Sequence, residues 1–386
     1  MTGRPDADVI VVGAGVAGAT TALLLGRAGV TVELYDQHRF PREKACAEGL
    51  MPAGAAVLAR LGLLDQIAGA RFHGIRYRGF GGCVEARFPA SAAGAGFAAR
   101  RLHLDGALFA AARATPGVTA REDARVEGPI VEAGRVRGVR VDGAERRARV
   151  VVGADGPRSM LRRQLGLDPA AARTPRIGLR RHFRLAAGKR APDHVEIFLA
   201  GGREIYVTAL PENEISLALL TDRAAVAGQA DDFYTRAIDE HERLRDLLEG
   251  ATATSELAGR TPLGGRARRT VLPGLVLIGD AAAALDPVTG AGMAQALQSA
   301  ELLAEALVRP TLAGVGRFDP SDDVLVAFDH RRRALYRDAA ALTRLVLTLV
   351  RHPPLARGAF HVLPRWPALF SHLVGVAAGT RPFVPI

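Results

Sequence analysis

Apolar strands and an apolar helix alternate at the start of the chain, with glycines between them. The stretch "VIVV" at 9–12 is β-branched and wholly apolar, which predicts a buried parallel strand. A helical pattern runs from about Val16 to Ala28 and is closed by Gly29, and "VTVELYD" at 30–36 predicts a second strand. The pattern therefore predicts an N-terminal βαβ unit.

The hydrophobic period changes to two between about residues 177 and 220. There "IGLRRHFRL", "HVEIFLA", "REIYVTAL" and "EISLALL" predict consecutive antiparallel strands with short turns. Before this region we expect two helices, in "MPAGAAVLARLGLLDQI" and "RRLHLDGALFAAARA", and three short strands, in "ARVEG", "RVRGVRV" and "RARVVVGADG". After it we expect a polar helix at about 231–248, and then the α/β pattern returns. A sheet domain is therefore predicted as an insertion in an α/β domain.

The tail from about residue 339 to 376 is apolar but interrupted. Prolines at 353, 354, 364 and 367 exclude one long helix. One interpretation is a set of short helices that packs over the domain, and the other is a lip that meets a membrane or a lipid-like substrate. No apolar stretch is long enough to predict a membrane span.

Composition limits the classes of partner. The chain has 386 residues and a formal net charge of +11, but its arginines are scattered and no basic run is interleaved with aromatics. We therefore expect no nucleic acid partner, and the charge favours an anionic substrate or cofactor. Cys46 and Cys83 make no disulfide framework, no metal cluster is evident, and no apolar leader is present, so we expect the cytoplasm, with contact at the inner face of the membrane as an alternative.

The N-terminal βαβ unit carries the spacing G-x-G-x-x-G, formed by Gly13, Gly15 and Gly18. The first glycine allows the tight turn, the second lets the backbone approach a pyrophosphate, and the third lets the helix pack on the strand. An acid at the end of the second strand would bind ribose hydroxyls. Glu33 and Asp36 both qualify, and we select Asp36 because the strand ends there. The motif predicts a dinucleotide site.

Two later stretches complete a set of three. "VVGADGPRS" at 151–159 and "VLIGDAAAALDPVTGAGM" at 276–293 each join an apolar strand to a Gly and Asp at its carboxyl end. With the βαβ unit, over most of residues 8–310, the chain resembles the FAD-dependent superfamily of para-hydroxybenzoate hydroxylase-like (group A) monooxygenases, flavin halogenases and geranylgeranyl reductases. A halogenase would require a W-x-W-x-I-P motif, which is absent because Trp366 is the single tryptophan.

The resemblance implies an α/β fold with a Rossmann-like FAD-binding domain, an inserted antiparallel-sheet substrate domain and a C-terminal helical tail. We expect the FAD-binding domain to be discontinuous, over residues 1–75, 99–165 and 265–335. The sheet domain would comprise 76–98 and 166–264, and the helical segment 336–386.

The resemblance also assigns cofactor roles. Asp36 would bind the adenosine ribose, Arg101 would reach the pyrophosphate, Val126 would contact adenine through its backbone, and Asp280 would hold the ribityl chain. Asp155 and Gly156 would support FAD and the transient approach of NAD(P)H. The segment from Pro287 to Met293 would wrap the isoalloxazine. Gly290 and Gly292 free the backbone there, and the helix that begins near Met293 would stabilise negative charge on the reduced flavin.

The stretch "FPREKACAEGLMP" at 40–52 follows Asp36 and looks like the "P-x-x-K-x-C-G-G/E-G-L" signature of the geranylgeranyl reductase-like branch, which also contains tailoring hydroxylases. Ala47 and Glu48 depart from the "C-G-G" typical of its reductases, which weakens the reductase interpretation. Lys44 is expected at a phosphate or flavin edge. Cys46 is expected either as a redox or proton-donating thiol or as a small packing residue.

The predicted sheet should cover the substrate face of the flavin. Arg181 or His182 from "LRRHF" and Tyr206 from "EIYVT" are candidates for that face, with His182 as substrate ligand or proton donor. At least one of Arg180 and Arg181 is expected to be a solvated strand cation.

The first function predicted is an FAD-dependent monooxygenase that uses NAD(P)H and O2, through a C4a-hydroperoxyflavin, to hydroxylate an aromatic, phenolic or polyketide-type small molecule. The alternative is a geranylgeranyl reductase-like enzyme that reduces C=C bonds of an isoprenoid or quinone, with Cys46, Tyr206 or His182 as proton source. A third interpretation is a non-catalytic FAD-binding or membrane-associated protein. The sequence leaves the oligomeric state open.

Overall fold

The computed structural model describes residues 5–384 except 90–93, 169–175, 227, 262, 313–317 and 319. The described strands are β1 (Ala7–Val12), β2 (Val32–Tyr35), β3 (Gly49–Leu50), β4 (Ala70–Phe72), β5 (Gly74–Gly79), β6 (Gly82–Arg87), β7 (Gly96–Ala98), β8 (Val118–Arg121), β9 (Val126–Glu132), β10 (Arg135–Val141), β11 (Ala144–Gly153), β12 (Arg176–Arg184), β13 (Val195–Ala200), β14 (Arg203–Ala209), β15 (Glu214–Asp222), β16 (Thr252–Ala253), β17 (Ala258–Arg260), β18 (Gly265–Arg266), β19 (Val271–Leu272), β20 (Leu275–Leu277) and β21 (Ala283–Ala284). The α-helices are α1 (Val16–Arg27), α2 (Pro52–Leu61), α3 (Arg101–Arg113), α4 (Met160–Gln164), α5 (Ala230–Asp239), α6 (Glu242–Leu248), α7 (Gly279–Ala282), α8 (Gly292–Leu312), α9 (Asp322–Arg351), α10 (Pro353–Val362) and α11 (Pro367–Ala377).

The first sheet has a parallel core in the order β20–β11–β1–β2–β8. Val11 of β1 lies beside Val152 of β11 and Leu34 of β2, and all three side chains are fully buried. Strands buried on both faces need continuous apolar runs, which is why "VIVV" predicted this position correctly. The antiparallel strands β9 and β10 extend from β11, and β19 closes the other edge.

The second sheet has the order β16–β12–β15–β14–β13–β5–β6, with β17 also paired to β12. Strands β12 to β15 are the four that the two-residue period predicted, and the pairs among them are antiparallel. One face packs on α5 and α6 in a core of its own, and the other faces the first domain. The predicted helix at 231–248 is two helices, because the chain turns between α5 and α6.

Helices cover the first sheet, and α1, α4 and α8 begin within or directly after the three glycine-containing stretches. α1 packs against α3 and α8, and α8 also contacts α2 and α9. Their apolar faces share one buried core with β1, β2 and part of the second sheet. The fold is therefore the α/β, Rossmann-like architecture with a second sheet and a helical C-terminal region that the resemblance implied, although the second sheet is mixed because β13 pairs in parallel with β5.

The C-terminal region is three helices, α9, α10 and α11. Breaks fall before Pro353 and Pro367, as the prolines predicted, but α9 is 30 residues long and passes through position 336, where the sequence suggested a boundary. α10 and α11 pack on β6 and on α9. Among the residues described, no helix combines the length and apolarity needed to cross a bilayer.

Candidate functional site

A long groove runs between the carboxyl ends of the first sheet and the inner face of the second. It holds about 1230 Å³ of space, part of it open to solvent. Its walls come from all three motif stretches and from the segment that follows Phe40. The predicted residues that line it are Gly15, Lys44, Cys46, Arg101, Gly156, Tyr206, Asp280, Pro287, Gly290, Gly292 and Met293.

The glycine turn between β1 and α1 has no room for a side chain at Gly13 or Gly18. Gly13 has φ +96°, and a Cβ built on Gly18 would lie 1.8 Å from the Gly13 carbonyl oxygen. At Gly15 a Cβ would meet only the Arg42 guanidinium, at 3.6 Å, so this backbone faces the groove. The amides at the start of α1 and the helix dipole thus point to open space, an arrangement suited to a pyrophosphate.

Asp36 ends β2 next to this turn and holds the turn in place. Its carboxylate accepts hydrogen bonds from the backbone N–H of Ala14 at 2.8 Å and of His38 at 2.9 Å. The Asp36 carbonyl in turn accepts from Ala124 N–H at 2.9 Å, two residues before Val126 at the start of β9. Neither Asp36 nor Val126 lines the groove itself, so their contacts with adenosine stay predictions. Glu33, the alternative acid, is hydrogen-bonded to Tyr35 and Arg146 instead.

Lys44 is partly buried within a cluster of charges that lines the groove. Desolvation, with the nearby cations Arg101 and Arg260, lowers the pKa of Lys44 to about 8, against the opposing effect of Asp280. Burial raises the pKa of Asp280, but Arg260, which it pairs with at 2.8 Å, and Lys44 outweigh this and leave its pKa lowered. The groove therefore offers both a cation for an anionic group and a carboxylate for hydroxyl groups.

Arg101 begins α3 and is buried beneath the groove. It makes a bidentate pair with Asp105, at 2.8 and 2.7 Å. Burial opposes its charge, but Asp105 and the Cys46 sulfur hold the pKa of Arg101 above its ordinary value. Cys46 Sγ also accepts a hydrogen bond from Glu48 N–H at 3.3 Å. Cys46 is thus a groove-lining thiol beside a cation, and no disulfide engages it.

Glu48 and His182 form a buried pair behind the groove. His182 Nε2 lies 2.6 Å from Glu48 Oε2, and its Nδ1 lies 3.0 Å from the Arg180 guanidinium and from Ser255 Oγ. A carboxylate accepts and a guanidinium donates, so Nε2 carries a proton and Nδ1 accepts. His182 is fully buried and lines neither cavity. This placement does not match the expectation that His182 faces the substrate, because both ring nitrogens have protein partners.

Glu48 also has a backbone that favours glycine. Its φ of 66° lies in the left-handed region, which strains a residue that carries a Cβ. The carboxylate accepts from Arg101 N–H at 3.2 Å in addition to His182. These contacts give a physical reason for an acid at a position that strains its backbone.

Only one of the two residues predicted in the "VVGADGPRS" stretch lines the groove. Gly156, with φ +80°, lines the groove, and a Cβ there would meet nothing within 4 Å. The Asp155 carboxylate instead accepts from the N–H groups of Met160 and Leu161 at the start of α4, at 2.8 and 3.2 Å. Burial raises the pKa of Asp155 despite these hydrogen bonds. Asp155 thus supports the turn that presents Gly156.

The last motif forms the inner end of the groove. Gly290 is left-handed, with φ +66°, and α8 begins at Gly292, within one residue of the predicted start. A Cβ at Gly292 would meet nothing within 4 Å, so the helix start borders open space. Met293 and Pro287 complete this wall. The positive end of the α8 dipole is therefore directed into the groove.

A second, apolar cavity adjoins the groove, with about 1090 Å³ of space that is partly open to solvent. The two share Ala47, Gly49, Tyr206, Pro287 and Gly290 as walls. Beyond them the lining is almost wholly hydrocarbon, supplied by the second sheet and by α9, α10 and α11. It includes Phe72, Ile75, Val195, Ile197, Leu199, Val346, Leu349, Ala359, Phe360, Leu363, Phe370 and Leu373. The sequence predicted either short helices that pack over the domain or a lip that meets a membrane or a lipid-like substrate, but it did not predict that these helices line an apolar cavity.

Tyr206 stands where the groove and the apolar cavity meet. Its hydroxyl donates to the Val288 carbonyl at 2.8 Å, which ties β14 to the segment between Pro287 and Gly290. Burial, reinforced by Glu204, holds the pKa of Tyr206 well above its ordinary value. A phenol with a high pKa and a committed hydrogen is a poor proton donor, so this geometry favours a structural task for Tyr206.

Three features of the site were missed by sequence reasoning. Arg180 is buried and pairs with Glu43 at 2.8 Å. Arg176 forms ion pairs with both Glu204 and Asp286, and Asp286 directly precedes Pro287 in the groove wall. Thr208 lies in the wall of the apolar cavity. Its hydroxyl is buried and has no hydrogen-bond partner among the described residues. The strand alternation could have pointed to Thr208, which shares the face of Tyr206, whereas the ion pairs needed the fold.

The groove suits FAD by its chemistry. Glycine-freed backbone at the starts of α1 and α8, a cation at Lys44 and a carboxylate at Asp280 match the pyrophosphate, the flavin edge and the ribityl hydroxyls. Among the described residues, no cluster of His, Cys, Asp or Glu could hold a metal ion.

Comparison with known proteins agrees with this geometry. A family model described as "FAD binding domain" matches residues 6–342. The menaquinone reductase of Mycolicibacterium smegmatis is 30% identical, covering 89% of this chain and 85% of that protein. The 6-methylpretetramide 4-monooxygenase of Streptomyces rimosus is 31% identical, covering 99% and 96%. The structure of a myxobacterial chondrochloren halogenase superposes with a TM-score of 0.76 at 25% identity, covering 88% of this chain and 82% of that one.

The match over residues 6–342 and the lengths covered by these relatives confirm the resemblance inferred from the three motifs. Monooxygenases and reductases both occur among the relatives. The chain belongs to the FAD binding domain family, in the superfamily of group A monooxygenases and geranylgeranyl reductase-like enzymes, and is an FAD-dependent oxidoreductase.

Proposed function

We propose that this oxidoreductase reduces a C=C bond in a hydrocarbon-rich substrate, an isoprenoid or a quinone with an apolar chain. One observation carries the proposal: the cavity next to the flavin groove is lined almost wholly by hydrocarbon. Pockets of this size that enclose most of a ligand select it by matching its polarity. The substrate class therefore follows from the wall of the cavity.

The lining argues against a heavily hydroxylated aromatic ring as the main occupant. Each buried hydroxyl or carbonyl left without a partner would cost about 1–3 kcal/mol. The polar side-chain atoms that the cavity wall contributes belong to Tyr77, Tyr206, Thr208 and Thr289. Of these, Tyr206 bonds to Val288, and Thr289 lies 3.0 Å from Thr343, so their hydroxyls have protein partners. Tyr77 and Thr208 are the remaining hydroxyl groups, and they suit one polar group at the head of an otherwise apolar molecule.

FAD supplies the electron pair when bound, and NAD(P)H is the reductant typical of the family. The chain's residues would bind and orient the two molecules. Lys44 and the start of α8 would hold negative charge at the flavin, and Asp280 would hold the ribityl hydroxyls. The second sheet and α9 to α11 would exclude water from the reacting carbons.

The proton for the second carbon of the C=C bond would come from Cys46. Its thiol lines the groove, and the next residue, Ala47, lines both the groove and the apolar cavity. The substrate would gain one hydrogen with the electron pair from the cofactor and one proton from Cys46, which would recover its proton from solvent. His182 is assigned an indirect role, because it positions Glu48 and thereby the segment that carries Cys46.

Hydroxylation with NAD(P)H and O2, the function predicted first from the sequence, remains the second candidate. Two observations favour it. The Streptomyces monooxygenase relative aligns over almost the full length of both chains, and Glu48 departs from the "C-G-G" typical of the reductases. Under this candidate the substrate would be a phenolic or polyketide-type ring that enters the same cavity.

The two candidates separate in one experiment. FAD-loaded protein is incubated with NADPH and either a polyprenyl quinone or an alkylated phenol, with and without oxygen. The masses of the products are then measured by mass spectrometry. We expect the isoprenoid chain of the quinone substrate to gain two hydrogens under strict anaerobiosis, and this gain should persist after any quinol in the product is reoxidised to the quinone. Addition of one oxygen atom, found only with oxygen present, would overturn the reductase proposal in favour of hydroxylation.

Matched variants test the proton source and the cavity. Cys46→Ala should lose most turnover while it still binds FAD, whereas Cys83→Ala, at an exposed thiol of β6, should not. Ala359→Trp should narrow the cavity and shorten the longest chain that is turned over. Ala368→Trp adds the same side chain at an exposed position of α11 and serves as its control. Equal activity of Cys46→Ala and wild type would remove the thiol from the mechanism.

A further inference from the structure

The outer face of α10 and α11 is apolar and exposed. We call it the tail surface and define it by Leu355, Val362, Trp366 and Leu369. Their side chains are 54%, 47%, 62% and 43% exposed, far more than a core-forming helix face shows. Isolated exposed apolar residues are normal on a protein, but a cluster of large ones on consecutive helices indicates a surface that meets something apolar.

The same segment is purely cationic. From residue 339 to 386 the sequence contains five arginines and neither aspartate nor glutamate. Arg351, Arg357 and Arg365 are all exposed and flank the tail surface. Apolar side chains beside unopposed arginines, on helices too short to span a bilayer, are the composition of an interfacial helix that meets anionic lipid.

The inner face of these helices closes the apolar cavity. Ala359 and Phe360 of α10 and Phe370 and Leu373 of α11 line it, one turn or less from the exposed residues of the tail surface. Leu345 of α9 both lines the cavity and is 37% exposed, so the cavity wall reaches the protein surface on α9, the helix on which α10 and α11 pack. One thin layer of helix therefore separates the cavity from whatever covers the tail surface.

From these three observations we infer that the tail surface docks on an anionic phospholipid bilayer, and that the cavity opens to the lipid through α10 and α11. The charge selects a bilayer over a second copy of the chain, because two tail surfaces brought face to face would oppose the three flanking arginines of one copy with those of the other, and residues 339–386 contain no aspartate or glutamate to offset them. Docking follows from surface chemistry and does not depend on which reaction the flavin carries out.

Trp366 makes the test direct, because it is the single tryptophan and belongs to the tail surface. FAD-loaded protein is titrated with vesicles of phosphatidylcholine containing phosphatidylglycerol, and tryptophan emission is recorded together with co-sedimentation. We expect a blue shift of emission and sedimentation with the vesicles, both weakened by salt and by omission of phosphatidylglycerol. Unchanged emission with all protein left in the supernatant would overturn the inference.

Paired variants separate docking from misfolding. Leu355→Ser with Leu369→Ser keeps the reporter and should reduce the bound fraction at least tenfold, whereas Val131→Ser with Val326→Ser removes exposed apolar area from β9 and the start of α9 and should not. Arg357→Gln with Arg365→Gln should weaken binding about fivefold per charge. Arg163→Gln with Arg236→Gln, at exposed positions elsewhere, is the control.

Two results would assign the surface differently. Vesicle binding that the tail variants leave intact would place docking elsewhere on the protein. Concentration-dependent association without vesicles, abolished by the leucine variants and accompanied by no lipid binding, would identify a second copy as the occupant. Neither result uses NADPH or substrate, so failure of docking and failure of the proposed reaction are told apart.

Discussion

The side chains of His182 and Glu48 meet at 2.6 Å between two elements that are 134 residues apart in sequence, and solvent reaches neither. His182 belongs to the second sheet, and Glu48 to the segment that carries Lys44 and Cys46 past the groove. The pair therefore links the second sheet to the segment that carries Lys44 and Cys46.

We expect the stability of Glu48 variants to depend on two things: the hydrogen bonds of the Glu48 carboxylate and the left-handed backbone at this position. Glu48→Ala loses the acceptor for His182 and for Arg101 N–H, which should lower the free energy of unfolding by about 1–3 kcal/mol. Glu48→Gly loses the same contacts but relieves the left-handed backbone, so it should be the more stable of the two by about 1 kcal/mol. Urea unfolding of the FAD-loaded proteins measures both. Glycine less stable than alanine would contradict the argument from φ.

FAD affinity should depend on pH through Lys44. Burial lowers the pKa of Lys44 to about 8 in the protein without FAD, and an anionic cofactor group would raise it. Below pH 8 the ammonium is charged in both states and the Kd should be flat. Above pH 8 the free protein loses the proton that binding must restore, so the Kd should rise by up to about tenfold per pH unit.

Flavin fluorescence titration of the apoprotein between pH 7 and pH 10 checks this expectation. Lys44→Arg should remove the rise because arginine stays charged, and Lys44→Met should bind weakly at every pH. Lys189→Met, at the only other lysine, should behave as wild type. A pH-independent Kd for wild type would mean that Lys44 does not bind an anionic group of the cofactor.

Stability should fall between pH 4.5 and 7 through Glu204. Burial raises the pKa of Glu204 from 4.5 to about 7, against the pull of Arg176. In that range the folded protein holds a proton that the unfolded chain has released, so the free energy of unfolding decreases as pH rises, by at most about 3 kcal/mol. Glu204→Gln cannot titrate and should lose this component. Thermal unfolding of both proteins at pH 5 and pH 7.5 gives the difference, and parallel pH profiles would contradict it.

Thr208→Val should separate substrate binding from folding. The Thr208 hydroxyl is buried without a partner among the described residues, so its removal should leave stability unchanged or raise it by about 1 kcal/mol. If the hydroxyl binds the polar head of the substrate, KM should rise about tenfold with kcat unchanged, because a uniform binding contact is lost. Thr208→Ser should retain the wild-type KM. An unaltered KM in Thr208→Val would remove this contact.

The sequence was sufficient for the parts of the site that depend on backbone. Gly13, Gly18 and Gly290 are glycines because close approach or a positive φ requires them. Such requirements fix the spacing of the glycines, and that spacing is visible in the sequence. The strand alternation likewise located the second sheet. His182 shows the opposite case: its residue type suggested catalysis, but its partners come from distant segments, and only the fold reveals that both nitrogens are occupied.

The apolar cavity could not be predicted for a related reason. Its wall combines strands from residues 72 to 208 with helices after residue 342, and an apolar residue that lines a cavity looks in sequence like one that fills a core. The prolines of the tail indicated where helices end but not what they cover. Cavities are a property of what packing leaves open, and hydrophobic patterns record only what is buried.

Ala47, Gly49, Tyr206, Pro287 and Gly290 bound the groove on one side and the apolar cavity on the other. A larger side chain at one of these five positions takes space from the groove, from the cavity or from both. A substitution there that changes substrate binding in the cavity therefore also affects ligand binding in the groove. A new substrate range is therefore better sought by substitutions in α10 and α11. Their side chains line the cavity but not the groove, so their size can change without an effect on the flavin site.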